Sequence, residues 1–177
     1  DKSFPSSISQ TNKLNSAGNG SRIYTYFDGL SRIIQSRSEL EDNVFSVKDY
    51  KYNKLGLPEK ESLPYLSTGT GKTPPSTNNN LYITYTYDSL GRAKSIQNSV
   101  GTLNYTYDKW KMTVKDAENN SKDLFKDAYG NLIKVVEYNE GANYKTEYQY
   151  NGLGKLLKIT DALGNIQNFT YDGLGRR

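Results

Sequence analysis

Tyr85, Tyr87, Asp88 and Arg92 place two aromatic rings, an acid and a base on one short stretch, and near-copies of that group return along the chain. Such residues could do chemistry. The recurrent Asp residues could act as general acid and base, as in glycoside hydrolysis, which needs two carboxylates roughly 5 to 9.5 Å apart. The repeated Tyr rings could stack on the apolar C–H faces of sugars. Trp110, the single tryptophan, is a further candidate ligand contact, although a lone Trp is more often a packing anchor. With no His and no Cys in the chain, Ser-His-Asp, Cys-His and imidazole–metal sites cannot be built. Asp161 to Asn165 offers oxygens to calcium, but not at EF-hand spacing. Gly71-Lys72-Thr73 resembles the end of a phosphate loop, yet Leu66 stands where the first glycine belongs, and Pro74 and Pro75 oppose the helix that should follow. No catalytic, metal or cofactor-binding residue is assigned.

The same residues have a structural explanation that accounts for their recurrence. In an extended strand Tyr85 and Tyr87 project from one face, and Thr84 and Thr86 from the other. The Asp88 carboxylate can accept hydrogen bonds from backbone N–H groups two or three residues on, and Gly91 can take φ > 0 without a Cβ clash. This predicts a type I turn followed by a glycine bulge, with Arg92 to Ile96 as the returning strand. From residue 81, turn-opening residues fall at Asp88, Asn98, Asp108, Asp116, Asp127, Asn139, Asn151, Asp161 and Asp172. Strands of about five to seven residues fit between them. A carboxylate already used by backbone donors is poorly placed for catalysis, and a tyrosine required in every unit is economically explained by cross-strand packing.

Composition agrees with stacked hairpins. Only 34% of the 177 residues are hydrophobic, while 16 are Tyr, so aromatic ladders rather than a thick apolar core must supply the burial. The net charge of +4 is scattered, without the basic stripe of a nucleic-acid footprint. No apolar run approaches the ~18 residues of a membrane span, and no signal peptide is recognisable. The organisation read from the chain is an irregular lead-in over residues 1–21, pinned in part by Phe4 and Ile8, then a repeat region over 22–177. A Gly-, Pro- and Asn-rich insertion at 63–80 interrupts it as a surface loop, held at its start by Tyr65 and Leu66. In the first copy, Ser31 stands in place of the turn glycine. In the second, Asn53 replaces Asp, and Pro58 suits a strand end, edge or bulge. Asn19, Asn104, Asn119 and Asn168 open glycosylation triplets, which matter only in a eukaryotic secretory route.

The copies Tyr87-Asp88-Ser89-Leu90-Gly91-Arg92, Tyr150-Asn151-Gly152-Leu153-Gly154-Lys155 and Tyr171-Asp172-Gly173-Leu174-Gly175-Arg176, with Asp161-Ala162-Leu163-Gly164-Asn165 between, resemble the RHS/YD-repeat family. That family includes bacterial polymorphic toxins, shell components of Tc toxins, and teneurins. The resemblance implies an all-β fold: antiparallel β-hairpin repeats forming a curved, strip-like sheet, a section of a hollow shell that in the bacterial toxins encloses a C-terminal toxic segment. It implies a non-catalytic structural role, without cofactors, in a secreted or cell-surface protein. The partners it implies are the remaining repeats and the toxin domain of a longer chain. Self-association through unpaired sheet edges is expected of the isolated segment. The alternative function is a glycan-binding or adhesion module using exposed tyrosines. Two copies depart from the pattern: Tyr107-Asp108-Lys109-Trp110 lacks the glycine, and Lys126 replaces the Tyr before Asp127.

Overall fold

A computed structural model describes residues 6–13, 20–139 and 141–177. The chain divides into two compact units, residues 1–100 and 101–177. The first unit holds β1 (Ser6–Lys13), β2 (Gly20–Phe27), β3 (Ile33–Glu41), β4 (Val44–Tyr52), β5 (Pro58–Ser62), β6 (Tyr65–Thr68), β7 (Tyr82–Tyr87) and β8 (Ala93–Gln97). The second holds β9 (Thr102–Asp108), β10 (Lys111–Lys115), β11 (Ser121–Lys126), β12 (Leu132–Asn139), β13 (Ala142–Tyr150), β14 (Leu156–Thr160) and β15 (Ile166–Asn168). Within each unit the strands pair antiparallel in chain order, except that β6 pairs with β4 and β7 follows β5 in the sheet. The fold is all-β, antiparallel and built of hairpins. Among the described residues no helix is long and apolar enough to cross a membrane.

Strand alternation sorts the side chains. In the second unit one face carries cross-strand neighbours Tyr105–Val114, Tyr107–Met112, Met112–Leu124, Leu124–Val135 and Tyr148–Ile159. The other carries Thr113–Asp123, Asp123–Val136 and Phe125–Lys134. Direct pairs of this kind each contribute about 0.2 to 1 kcal/mol, so the aromatic ladder stabilises the sheet without a second layer. Among the described residues, Phe169 and Asp123 alone are buried there, each still 7% exposed. The first unit buries more: Tyr26, Phe45, Val47 and Tyr82, together with the polar Gln35, Arg37, Asp49 and Ser62.

Three expectations need correction. Ser6–Lys13 is a strand, paired along its whole length with β2, where an irregular lead-in was expected. Ile8 pairs with Thr25 but remains exposed instead of pinning the chain. A strand polar on both faces is held by its backbone ladder and leaves no period-2 signal. Phe4 and Asn19 lie outside the described residues. The insertion is no open loop: Tyr65–Thr68 pairs with Val44–Val47, and Asn79–Leu81 forms a 3₁₀ turn. Tyr65 holds it, whereas Leu66 is exposed. Around Trp110 the Asp turn is replaced by a two-residue loop, Lys109-Trp110, with Asp108 opposite Lys111 and Lys109 at φ 53°.

Candidate functional site

The hairpin ends share one construction. At Asp88, Oδ1 accepts N–H bonds from Leu90 and Arg92, both 2.9 Å, while Oδ2 accepts Arg92 Nε at 2.7 Å. The Gly91 N–H closes the turn on the Asp88 carbonyl at 3.0 Å, with Gly91 at φ 77°. The second backbone donor is thus four residues on, not three. Asp28, Asp116, Asp127, Asp161 and Asp172 repeat the scheme. The fourth residue after each Asp is either an Arg, as at Arg32 and Arg176, or an Asn, as at Asn120, Asn131 and Asn165, and its side chain reaches Oδ2. Where the opener is Asn53 or Asn151, its single oxygen takes the two backbone bonds. An amide has no second acceptor. Leu57 and Lys155 fill the fourth position there.

These bonds set the electrostatics. The Arg32 side chain holds the Asp28 carboxyl below its ordinary value, and Asn131 and Asn165 do the same for Asp127 and Asp161. At Asp88, burial pushes upward, but Arg92 and two backbone N–H groups outweigh it. At Asp172 the Arg176 N–H and then its side chain lower the carboxyl. Every one of these acids is held ionised and fully engaged.

The tyrosines just before the turns are equally committed. Tyr87 donates its hydroxyl to the Pro58 carbonyl at 2.7 Å, Tyr150 to Leu132 at 3.0 Å and Tyr171 to Leu156 at 2.9 Å. Each acceptor is the first residue of a neighbouring return strand, at or beside a shift in strand register. The same shift recurs in the hairpins opened by Asp28 and Asp88. It is a second return-strand bulge, beyond the glycine bulge expected at the turn, and the sequence pattern does not announce it. Tyr85 donates to Glu61 at 3.0 Å, and burial, then that carboxylate, pushes its hydroxyl up to about 12.

Beneath the insertion lies a second cluster, absent from the sequence reading. Arg37 is fully buried. It donates to the Thr68 and Gly69 carbonyls at 2.9 and 2.7 Å and to Thr73 Oγ1 at 3.0 Å. Gln35 Nε2 binds Asp49 Oδ1 at 2.7 Å, and the Thr73 N–H donates to Gln35 Oε1 at 3.0 Å. Asp49 also accepts the Tyr65 hydroxyl at 2.7 Å and the Ser76 N–H at 3.2 Å. Burial and then Asp49 push the Tyr65 hydroxyl up to about 12. The buried cation therefore reaches its anion through an amide, and the insertion supplies most of the ligating groups. Of Gly71-Lys72-Thr73 only Thr73 joins this packing; Gly71 and Lys72 are exposed, and no helix follows. The only sequence trace is polar residues, Gln35 and Arg37, two apart in a strand.

A family model for the RHS repeat matches residues 127–166 and 150–177. That stretch is RHS-repeat sequence. The fold agrees over more of the chain. A crystal structure of TcdB2-TccC3-Cdc42 superposes with a TM-score of 0.69 at 14% identity, covering 88% of this chain. A Tc holotoxin pore of Photorhabdus luminescens superposes at 0.67 and 14%, with the same coverage. The chain spans about 10% of the length of either neighbour. The Asp turn described above falls within the matched residues at Asp127, Asn151, Asp161 and Asp172, and the same turn geometry occurs outside them at Asp28, Asn53 and Asp88.

Proposed function

We propose that this chain is a non-catalytic wall segment of an RHS/YD-repeat shell in a large secreted or surface toxin, a shell that encloses a C-terminal toxic segment. The observation that carries the reading is that each turn Asp is spent on backbone N–H groups and on the Arg or Asn four residues on, and that Tyr87, Tyr150 and Tyr171 are spent on backbone carbonyls. A carboxylate with both oxygens engaged, as in Asp88, is not poised to exchange a proton with a substrate. The fold likeness to assemblies containing TccC3 supports the toxin setting. The mechanism is containment: a sheet without a catalytic centre, extended hairpin by hairpin, that separates an enclosed segment from solvent.

Limited proteolysis of the full-length polypeptide carrying this chain tests it. The segment beyond the repeats should survive protease while the sheet is folded and be digested once urea unfolds it; equal digestion in both states would overturn containment. Polysaccharide turnover abolished by Asp88→Asn would overturn the non-catalytic role. The glycan-binding alternative rests on the rings that do face outward, Tyr129 and Tyr144. Glycan-array binding lost in a Tyr129→Ala, Tyr144→Ala protein would favour it.

A further inference from the structure

The insertion lies on a surface that reads peptide backbone. Five side chains of the sheet, Tyr26, Gln35, Arg37, Asp49 and Tyr82, reach it. Gln35 Nε2 donates to the Thr73 carbonyl and Oε1 accepts the Thr73 N–H, both at 3.0 Å. A side-chain amide so placed does for one residue what a neighbouring strand does. Arg37 donates to the Thr68 and Gly69 carbonyls, Tyr26 to that of Thr70 and Tyr82 to that of Ser76, while Asp49 accepts the Ser76 N–H. Two side chains of the insertion join these contacts, the Thr73 hydroxyl on Arg37 and the Tyr65 hydroxyl on Asp49. From Ser67 to Asn80 the insertion carries only Ser, Thr, Gly, Lys, Pro and Asn, so polar bonds hold that stretch without an apolar anchor. Each such bond replaces one to water and its net contribution is small, while ordering the segment costs conformational entropy. Residues 69–78 form no strand, and Pro74 and Pro75 have no N–H to give a ladder. A segment held in this way opens locally while the sheet stays folded. Even when docked it does not exhaust the surface, since Arg37 Nε is buried without a partner.

From this we infer that the covered face of β3 and β4 is a binding site for an extended peptide of small polar residues, and that the insertion is its occupant in cis, exchangeable for a like segment supplied in trans. The donors and acceptors select that ligand. They are matched to carbonyls and N–H groups along an extended chain, so backbone is what the site recognises. Gly69, Thr73 and Ser76, three of the residues whose backbone is held, are small, and the long side chain of Lys72 is exposed. An apolar occupant would leave Gln35, Arg37 and Asp49 buried and unpaired. A free anion would meet Arg37 but not the Gln35 amide, and it would crowd the Asp49 carboxylate. Sheets accept added peptide by backbone bonding at their edges; here the same recognition is turned onto a sheet face and carried by side chains. Attachment gives the insertion a high effective concentration, so it fills the site until it lifts. The inference concerns the first unit alone and does not depend on what a shell encloses.

The ends of the insertion meet, with the Leu63 N–H on the Leu81 carbonyl at 2.6 Å, so the full chain with residues 64–80 replaced by Asn-Gly closes β5 and β7 as a hairpin and empties the site. The probe is a fluorescein-labelled peptide of residues 64–80 carrying Lys72→Gln, read by anisotropy. The emptied chain should bind it saturably, and the parent at least tenfold more weakly, because its own insertion competes. Gln35→Leu in the emptied chain should weaken binding at least tenfold. Thr73→Pro in the probe, which removes the N–H that Gln35 accepts, should do the same. Equal binding to parent and emptied chains, or binding indifferent to Gln35 and Thr73, would overturn the inference. So would no binding by an emptied chain that keeps the circular dichroism of a β-sheet. Where the emptied chain does not fold, the parent decides. Excess unlabelled probe should then speed tryptic cleavage after Lys72 at least tenfold by holding the insertion open, and an unchanged rate would overturn the exchange.

Discussion

The two units use one hairpin and finish it differently. In the second, Asp123 takes hydrogen bonds from Thr113 and Tyr138 on an uncovered face, and stability rests on cross-strand ladders. In the first, the 63–80 segment folds back over β3 and β4, and the polar trio Gln35, Arg37 and Asp49 becomes dry. Placing a guanidinium away from water costs several kcal/mol unless its donors are matched. Here the Thr68 and Gly69 carbonyls and the Thr73 hydroxyl of the insertion match the terminal nitrogens, while Arg37 Nε stays buried without a partner. The contrast shows that the repeat is a self-sufficient surface module, and that an insertion turns part of it into a core.

Removing the anion should separate the units most. Asp49→Ala leaves the Arg37 charge buried without its counter-ion and should cost about 3 to 5 kcal/mol. Urea unfolding followed by hydrogen exchange should place that loss in the first unit, with faster tryptic cleavage at Lys72. Similar losses in both units would break the comparison. Asp123→Ala, at the half-open cluster, should cost about 1 to 3 kcal/mol through partners left unsatisfied.

Turn substitutions should act alike in either unit. Gly154 sits at φ 75°, so Gly154→Ala should destabilise by about 1 to 2 kcal/mol; an unchanged melting temperature would refute that turn. Ser31 accepts the same left-handed backbone at φ 61°, and Ser31→Gly should therefore stabilise the first hairpin by about 1 kcal/mol. Opposite signs at these two positions would tie the effect to backbone conformation and not to the unit.

The smallest effect is acid sensitivity. Asp28, Asp88, Asp127, Asp161 and Asp172 have folded values lowered from 3.8. Their contribution is present above that ordinary value and is lost as pH falls through the folded one. Hydrogen exchange as pH is lowered below 3.8 should therefore expose the amides of Arg92, Asn131 and Asn165 before those of Leu57 and Lys155, whose Asn openers do not titrate. Simultaneous exposure would show that the carboxylates do not hold the turns.

The hairpin ends were legible because their chemistry is local. An Asp, a glycine three residues on and an Arg or Asn next to it satisfy one another within five residues, and Tyr87, Tyr150 and Tyr171 mark the strand before each turn. The recurring register shift was not legible, since it depends on how the return strand meets its partner. Trp110 marked an irregular unit, but its two-residue loop follows from Asp108 lying opposite Lys111. Neither Arg37 nor β1 carried a pattern: one has its partners more than thirty residues away, and the other is held by backbone alone.

Sequence by itself determined the all-β hairpin repeat and the turn chemistry, because those interactions span a few residues and recur often enough to be read. Tertiary structure alone decided that Gln35, Arg37 and Asp49 are interior and that the insertion covers them. It also decided that the turn leucines, Leu30, Leu55 and Leu90 among them, stand exposed. Burial is a property of what arrives from elsewhere in the chain, and no local spacing encodes that arrival.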